Sequence, residues 1–123
     1  LKNKKIWLGI ALIFIVLFFF INSDKSFEKQ AREAYDFIEQ DFINKIPVGE
    51  MNEDAIHWVH NQSLESEKNP EKFTEREIRI INNLGTMLFL VSILNGLEYR
   101  DREIEEQYYD VRDTIMQALF EGN

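Results

Sequence analysis

The alternation of apolar and polar positions divides the chain into two regimes. Residues 6 to 21, IWLGIALIFIVLFFFI, are an uncharged run broken by one glycine, and no side of the run is polar. At about 1.5 Å per residue such a helix reaches roughly 24 Å, against a hydrocarbon core near 30 Å. Lys4 and Lys5 can snorkel and Trp7 suits the headgroup layer, so the usable length is greater. The pattern predicts a membrane-spanning helix and an N-terminal anchor over residues 1–23. A cleaved signal peptide would share the lysines and the apolar run, but two small residues at the usual spacing are lacking at its end.

From residue 24 onward the period becomes helical and one-sided. Phe27, Ala31, Ala34, Ile38 and Phe42 form a stripe within Asp24–Lys45, widened by Tyr35 and Ile46 and ended by Pro47-Val-Gly49. A second helix is expected over Glu53–Ser66, with Asn52 as cap and Ile56, Val59, Leu64 and Trp58 on or beside its apolar face. Thr74 with Glu77 makes a capping box, and Phe73 with Ile78 a hydrophobic staple, at the start of a third helix. Ile78, Ile81, Leu84, Leu88, Val91 and Leu94 then recur at helical spacing, with enough flanking aliphatics to mark this as the central core helix. A fourth helix opens around Asp101 and carries Ile104, Tyr108, Val111, Ile115 and Leu119, with Gly122 at its close. The expected fold is all-α: an N-terminal transmembrane helix, then a small antiparallel helical bundle over 24–123.

Charge sharpens the division. All 22 acidic residues follow the apolar run, whereas Lys2, Lys4 and Lys5 precede it, so Asn22–Asn123 carries a formal charge of −11. Such a body repels a phosphate backbone, which excludes nucleic-acid binding through a basic surface. With no cysteine there is no disulfide, thiol nucleophile or thiolate metal site. Lysines and arginines tie at three on each side of the run, but the leading ones are denser, which favours a cytoplasmic N-terminus.

Candidate chemistry is sparse. His57 and His60 with Glu53 and Asp54 place an acid–histidine group on one helix, at spacings that could approach a metal ion. The HExxH pattern is absent, and the bland reading is two surface histidines. No phosphate loop or nucleophile elbow occurs, and pairs such as Glu98 with Asp101 or Glu105 with Glu106 read as solvated helix faces. No cofactor is implied. Arg79, Asn83, Asn95, Glu98 and Arg102 lie along or just beyond the apolar third helix, where a hydrogen-bonded polar network would fix helix register. Phe37 and Tyr109 fall off their apolar stripes, as partner-binding aromatics do.

Arg79, Leu94-Asn95-x-x-Glu98 and Asp101-x-Glu103-Ile104, within Arg76–Leu119, resemble an uncharacterised family of small bacterial and phage-encoded membrane-anchored helical proteins. The resemblance implies an N-terminal anchor, a helical domain and no assigned activity. The functional expectation is a membrane-anchored accessory or interaction protein, a non-catalytic subunit of a membrane-associated complex. Its partner would be another protein or a second copy. The competing class is a membrane-tethered metal-binding or hydrolytic enzyme built on His57 and His60.

Overall fold

The computed structural model describes residues 27–120. The expected anchor at residues 1–23 and the closing Gly122 lie outside the described residues. Within them the chain is all-helical: α1 over 27–43, α2 Glu53–Lys68, α3 Glu75–Gly96 and α4 Arg102–Phe120. Short 3-10 turns, Val48–Glu50 and Pro70–Lys72, sit in the first two connections.

The helix starts follow the local chemistry of the sequence. Asn52 caps α2 by accepting the Ala55 amide at 2.9 Å. The Thr74–Glu77 capping box is complete at α3, satisfying donors that the first helical turn leaves without intrahelical partners. At α4 the Asp101 carboxylate accepts the Ile104 amide at 3.1 Å. The helix ends depart from expectation. α1 stops at residue 43 instead of 45, because Lys45 adopts φ 51°. Its amide and that of Ile46 bond back to the carbonyls of Phe42 and Asp41, at 3.2 and 3.0 Å. This pair of bonds is a Schellman closure, normally built on glycine. α2 continues two residues past Ser66, to Lys68.

α3 is the centre of the bundle and packs on both α2 and α4. Ile80, Ile81, Leu84, Met87, Leu90 and Val91 are its buried residues. All but Ile81 meet Ala31, Ala34, Tyr35 and Ile38 of α1, Ala55 and Val59 of α2, and Tyr108, Ile115 and Leu119 of α4 in one core. Leu88 is only partly buried, and Leu64 and Phe89 are exposed, so the apolar faces expected of α2 and α3 are narrower than their composition. Among the described residues, α3 is the one helix long and apolar enough to cross a membrane. Here it serves as the core helix.

The contacts define two ends. Where α1 begins, Arg76 of α3 pairs with Glu28 at 2.7 Å, and its guanidinium donates to the Ala118 carbonyl of α4. Arg32 donates to the Leu119 carbonyl at 2.6 Å, and Trp58 of α2 to Gln30 at 2.8 Å. Where α1 finishes, Asn95 of α3 and Tyr108 of α4 lie against it. Divided at mid-height, the first end (27–34, 58–86, 114–120) has seven acidic residues and six basic ones. The second (35–57, 87–113) has thirteen acidic residues against four basic. The described body is therefore polar in charge, near neutral at the first end and about −9 at the second.

Candidate functional site

Among the described residues, the acidic end carries a groove of about 530 Å³ between the end of α1, the end of α3 and the start of α4. Its floor is set by one polar side chain. The Asn95 amide donates to the carbonyls of Asp41 and Ile46, both at 2.9 Å, so α3 holds the terminal turn of α1 in place. Asp41 also accepts the Asn52 amide at 2.9 Å and thereby orients the start of α2. One wall is aromatic: Phe42 lies 4.0 Å from Tyr108 and 5.9 Å from Tyr109, ring centre to ring centre. The opposite wall is the α3–α4 connection. There Arg100 Nε bonds both carboxylate oxygens of Glu105, at 2.8 and 2.7 Å.

Two apolar side chains stand out from this groove. Ile43 is 59% exposed and Tyr99 67%, and Leu94 and Leu97 line the same groove. Val48, itself exposed, lies against Gly96 at the edge of the same surface. The apolar strip is framed by two carboxylates, Glu98 and Glu105, and two cations, the exposed Lys45 and the clamped Arg100. A nucleophile paired with a base, or a cluster of three metal-ligating groups, is not assembled among the described residues.

The expected site residues fare unequally. Phe37 is 44% exposed and lines a smaller groove with Trp58 and Ala55. Tyr109 is half-buried instead of free: it packs on Phe42 and Tyr108, with the Arg112 guanidinium 4.9 Å from its ring centre. It nevertheless lines the large groove, as do Asn95 and Glu98. Glu53 and Asp54 occupy the first turn of α2, where the helix dipole favours acids. Both are exposed, as are His57 and His60, and they converge with no third partner.

The expected polar network is not formed. Asn95 bonds to backbone, while Arg79, Glu98 and Arg102 are exposed; among the described residues no hydrogen bond or ion pair joins any two of the five. Asn83 is half-buried and lines a separate groove with Arg79. Arg79 and Asn83 share one groove on α3, Asn95 lines another, and Glu98 and Arg102 lie beyond the end of the helix, which the linear spacing conceals.

A different buried polar group lies beneath the aromatic wall. Tyr35 and Tyr108 are buried, and neither hydroxyl has a hydrogen-bond partner among the described residues; the same holds for Arg112 Nε. Burial, reinforced by the nearby Glu39 carboxylate, pushes the Tyr35 phenol up to about 12. The same two causes raise Tyr108. Both phenols therefore stay neutral and act as packing groups. Sequence reasoning missed Ile43, Tyr99 and the Arg100–Glu105 clamp. Tyr99, an aromatic in a polar connection, was the available signal. Compared with known proteins, the chain matches no family model, no curated protein and no solved structure.

Proposed function

We propose that this is a membrane-anchored accessory protein, held at the bilayer by residues 6–21, that docks a protein partner with a basic, apolar-tipped segment in the groove at its acidic end. The observation that carries the reading is the coincidence of exposed Ile43 and Tyr99 with the half of the body that bears about −9. Apolar anchors supply affinity at an interface, while complementary charge speeds encounter and rejects wrong partners. The denser leading lysines favour a cytoplasmic N-terminus, with the body on the far side.

A photo-crosslinker at Tyr99 or Ile43 of the full chain in its own membranes tests the docking. The expected adduct is a partner whose crosslinked peptide is basic, with a yield that falls as salt is raised to about 0.5 M. A crosslinker at the exposed Asn61 of α2 should give no such adduct. An adduct of twice the chain's mass would replace the partner by a second copy. Absence of any adduct from Tyr99 and Ile43 would overturn the docking reading. Release of the full chain by alkaline carbonate would sink the anchor. Because the chain has no cysteine, single cysteines placed at Asn3 and at Asn61 report the side of the membrane directly.

A further inference from the structure

At the opposite end, α3 and α4 leave a groove of about 230 Å³ whose lining holds two arginines and no carboxylate. Arg76, Arg79 and Asn83 lie on one face of α3; Thr114 and Gln117 face them from α4. Arg76 is committed to Glu28 and to the Ala118 carbonyl. The Thr114 hydroxyl donates to the Asp110 carbonyl at 3.0 Å. Arg79 is exposed and makes no ion pair among the described residues, although the chain is strongly acidic. The Asn83 and Gln117 amides likewise have no side-chain hydrogen bond there. One uncommitted guanidinium beside two uncommitted amides presents only donors and neutral acceptors, the set a phosphate oxyanion takes.

Position names the source of that phosphate. Arg76 ties the groove to Glu28, one residue beyond the start of the described chain. Five residues lie between Ile21 and Phe27, so the six steps of covalent chain can carry this end no more than about 20 Å from the apolar run. The headgroup layer begins at that boundary and is itself several ångströms deep. The same end holds six of the ten cations among residues 27–120, so a negative bilayer repels it far less than the other end.

We propose that the α3–α4 groove binds a phosphate group, presented by an anionic phospholipid of the leaflet beside the anchor, with Arg79 as the pairing cation and Asn83 and Gln117 as orienting donors. Such a contact would stand the body upright and aim the acidic groove away from the membrane. This inference rests on the anchored reading, and its test separates the two. The full chain is reconstituted into vesicles of phosphatidylcholine alone, or with added phosphatidylglycerol, and floated. It is then extracted gently, and the retained lipid is counted by mass spectrometry.

Flotation on both vesicles with about ten-fold enrichment of phosphatidylglycerol over its bulk share is the expected result, the scale of one charge-assisted contact. Arg79→Gln and Gln117→Glu should each float normally and lose the enrichment. Both alter exposed side chains, so folding is preserved. Equal lipid retention by the native chain and both variants would overturn the phosphate site while leaving the anchor intact. Failure to float on either vesicle would overturn the anchor and, with it, the lipid source. Full displacement of the enriched lipid by millimolar inorganic phosphate would assign the groove to a free anion and overturn the lipid assignment.

Discussion

Where α1 begins, cationic side chains clamp the helix ends: Arg76 reaches Glu28 and the Ala118 carbonyl, and Arg32 reaches the Leu119 carbonyl with its guanidinium over Phe120. Where α1 finishes, a neutral amide does the equivalent work, Asn95 holding the Asp41 and Ile46 carbonyls beneath stacked aromatic rings. The first arrangement uses long, partly solvated side chains and leaves little net charge. The second leaves about −9, and it has three buried polar atoms without partners among the described residues. Binding surfaces are commonly built where a fold is not optimised for stability alone. The acidic end has that character, and it bears the larger groove.

The comparison breaks most visibly if the ends do not share one core. Leu84 is fully buried at mid-height in α3. Leu84→Ala should cost about 2–5 kcal/mol, the range for a buried leucine whose cavity stays open. Thermal unfolding of the full chain in detergent measures it. Amide exchange should accelerate at both ends together, and acceleration confined to one end would mean that the two unfold separately. Leu88, half-buried one turn on, should cost less.

The unpartnered phenols give the acidic end its own pH dependence. Tyr35 has an ordinary value of 10.0 and is pushed up to about 12 by burial and then by Glu39. Its neutral form is favoured in the folded state, so its contribution is complete below pH 10. It is lost as pH rises from 10 to 12, because the unfolded chain ionises first. On the order of 2–3 kcal/mol should disappear across that window. Tyr35→Phe should flatten its share of the loss. At neutral pH that variant should be as stable as the native chain or slightly more so, since no protein hydrogen bond is removed. A native stability that stays level to pH 12 would place the phenol in water.

Removing the amide that closes the acidic end comes next in size. Asn95→Ala leaves the Ile46 carbonyl without its donor, at a cost of about 1–3 kcal/mol. Exchange should quicken at residues 41–46 and leave the Arg76–Glu28 end unchanged. The groove residues Ile43 and Phe42 ride on that turn, so crosslinking from Ile43 should fall as well.

These residues also show how far the sequence could be read. Helix existence and the central place of α3 were legible, because an apolar stripe at helical spacing must be buried against something. The caps of α2 and α3 were legible too, since Asn52 and Thr74 with Glu77 act on amides within three residues, whereas Asp101 marked only the turn into α4. Asn95 is visible as a polar residue among aliphatics, but its partners lie about fifty residues away, where linear spacing does not reach. Ile43 and Tyr99 come from different helices and loops and meet only after the bundle closes. Sequence spacing carries nothing about such a meeting.

The end of α1 is where local chemistry and fold disagree, and the smallest predicted effect follows from it. A left-handed residue at this position is normally glycine, because a Cβ there crowds the following carbonyl oxygen. This chain has Lys45 at φ 51°. The expected helix end at Lys45 fails for that reason: nothing in a lysine announces the turn. The closure persists because Ile46 is held from both sides, its amide on the Asp41 carbonyl and its carbonyl under Asn95. Lys45→Gly should therefore stabilise the chain by about 1 kcal/mol, the strain relieved less the added freedom of the unfolded glycine. The gain should appear as slower exchange at Ile46 and a modest rise in Tm. The same substitution removes one of four cations from the acidic half and a side chain from the groove lining. A basic partner should then crosslink at least as well from Tyr99 as before. If the variant is more stable yet loses the partner, the Lys45 side chain itself makes the contact, and the occupant of the groove carries an acid there.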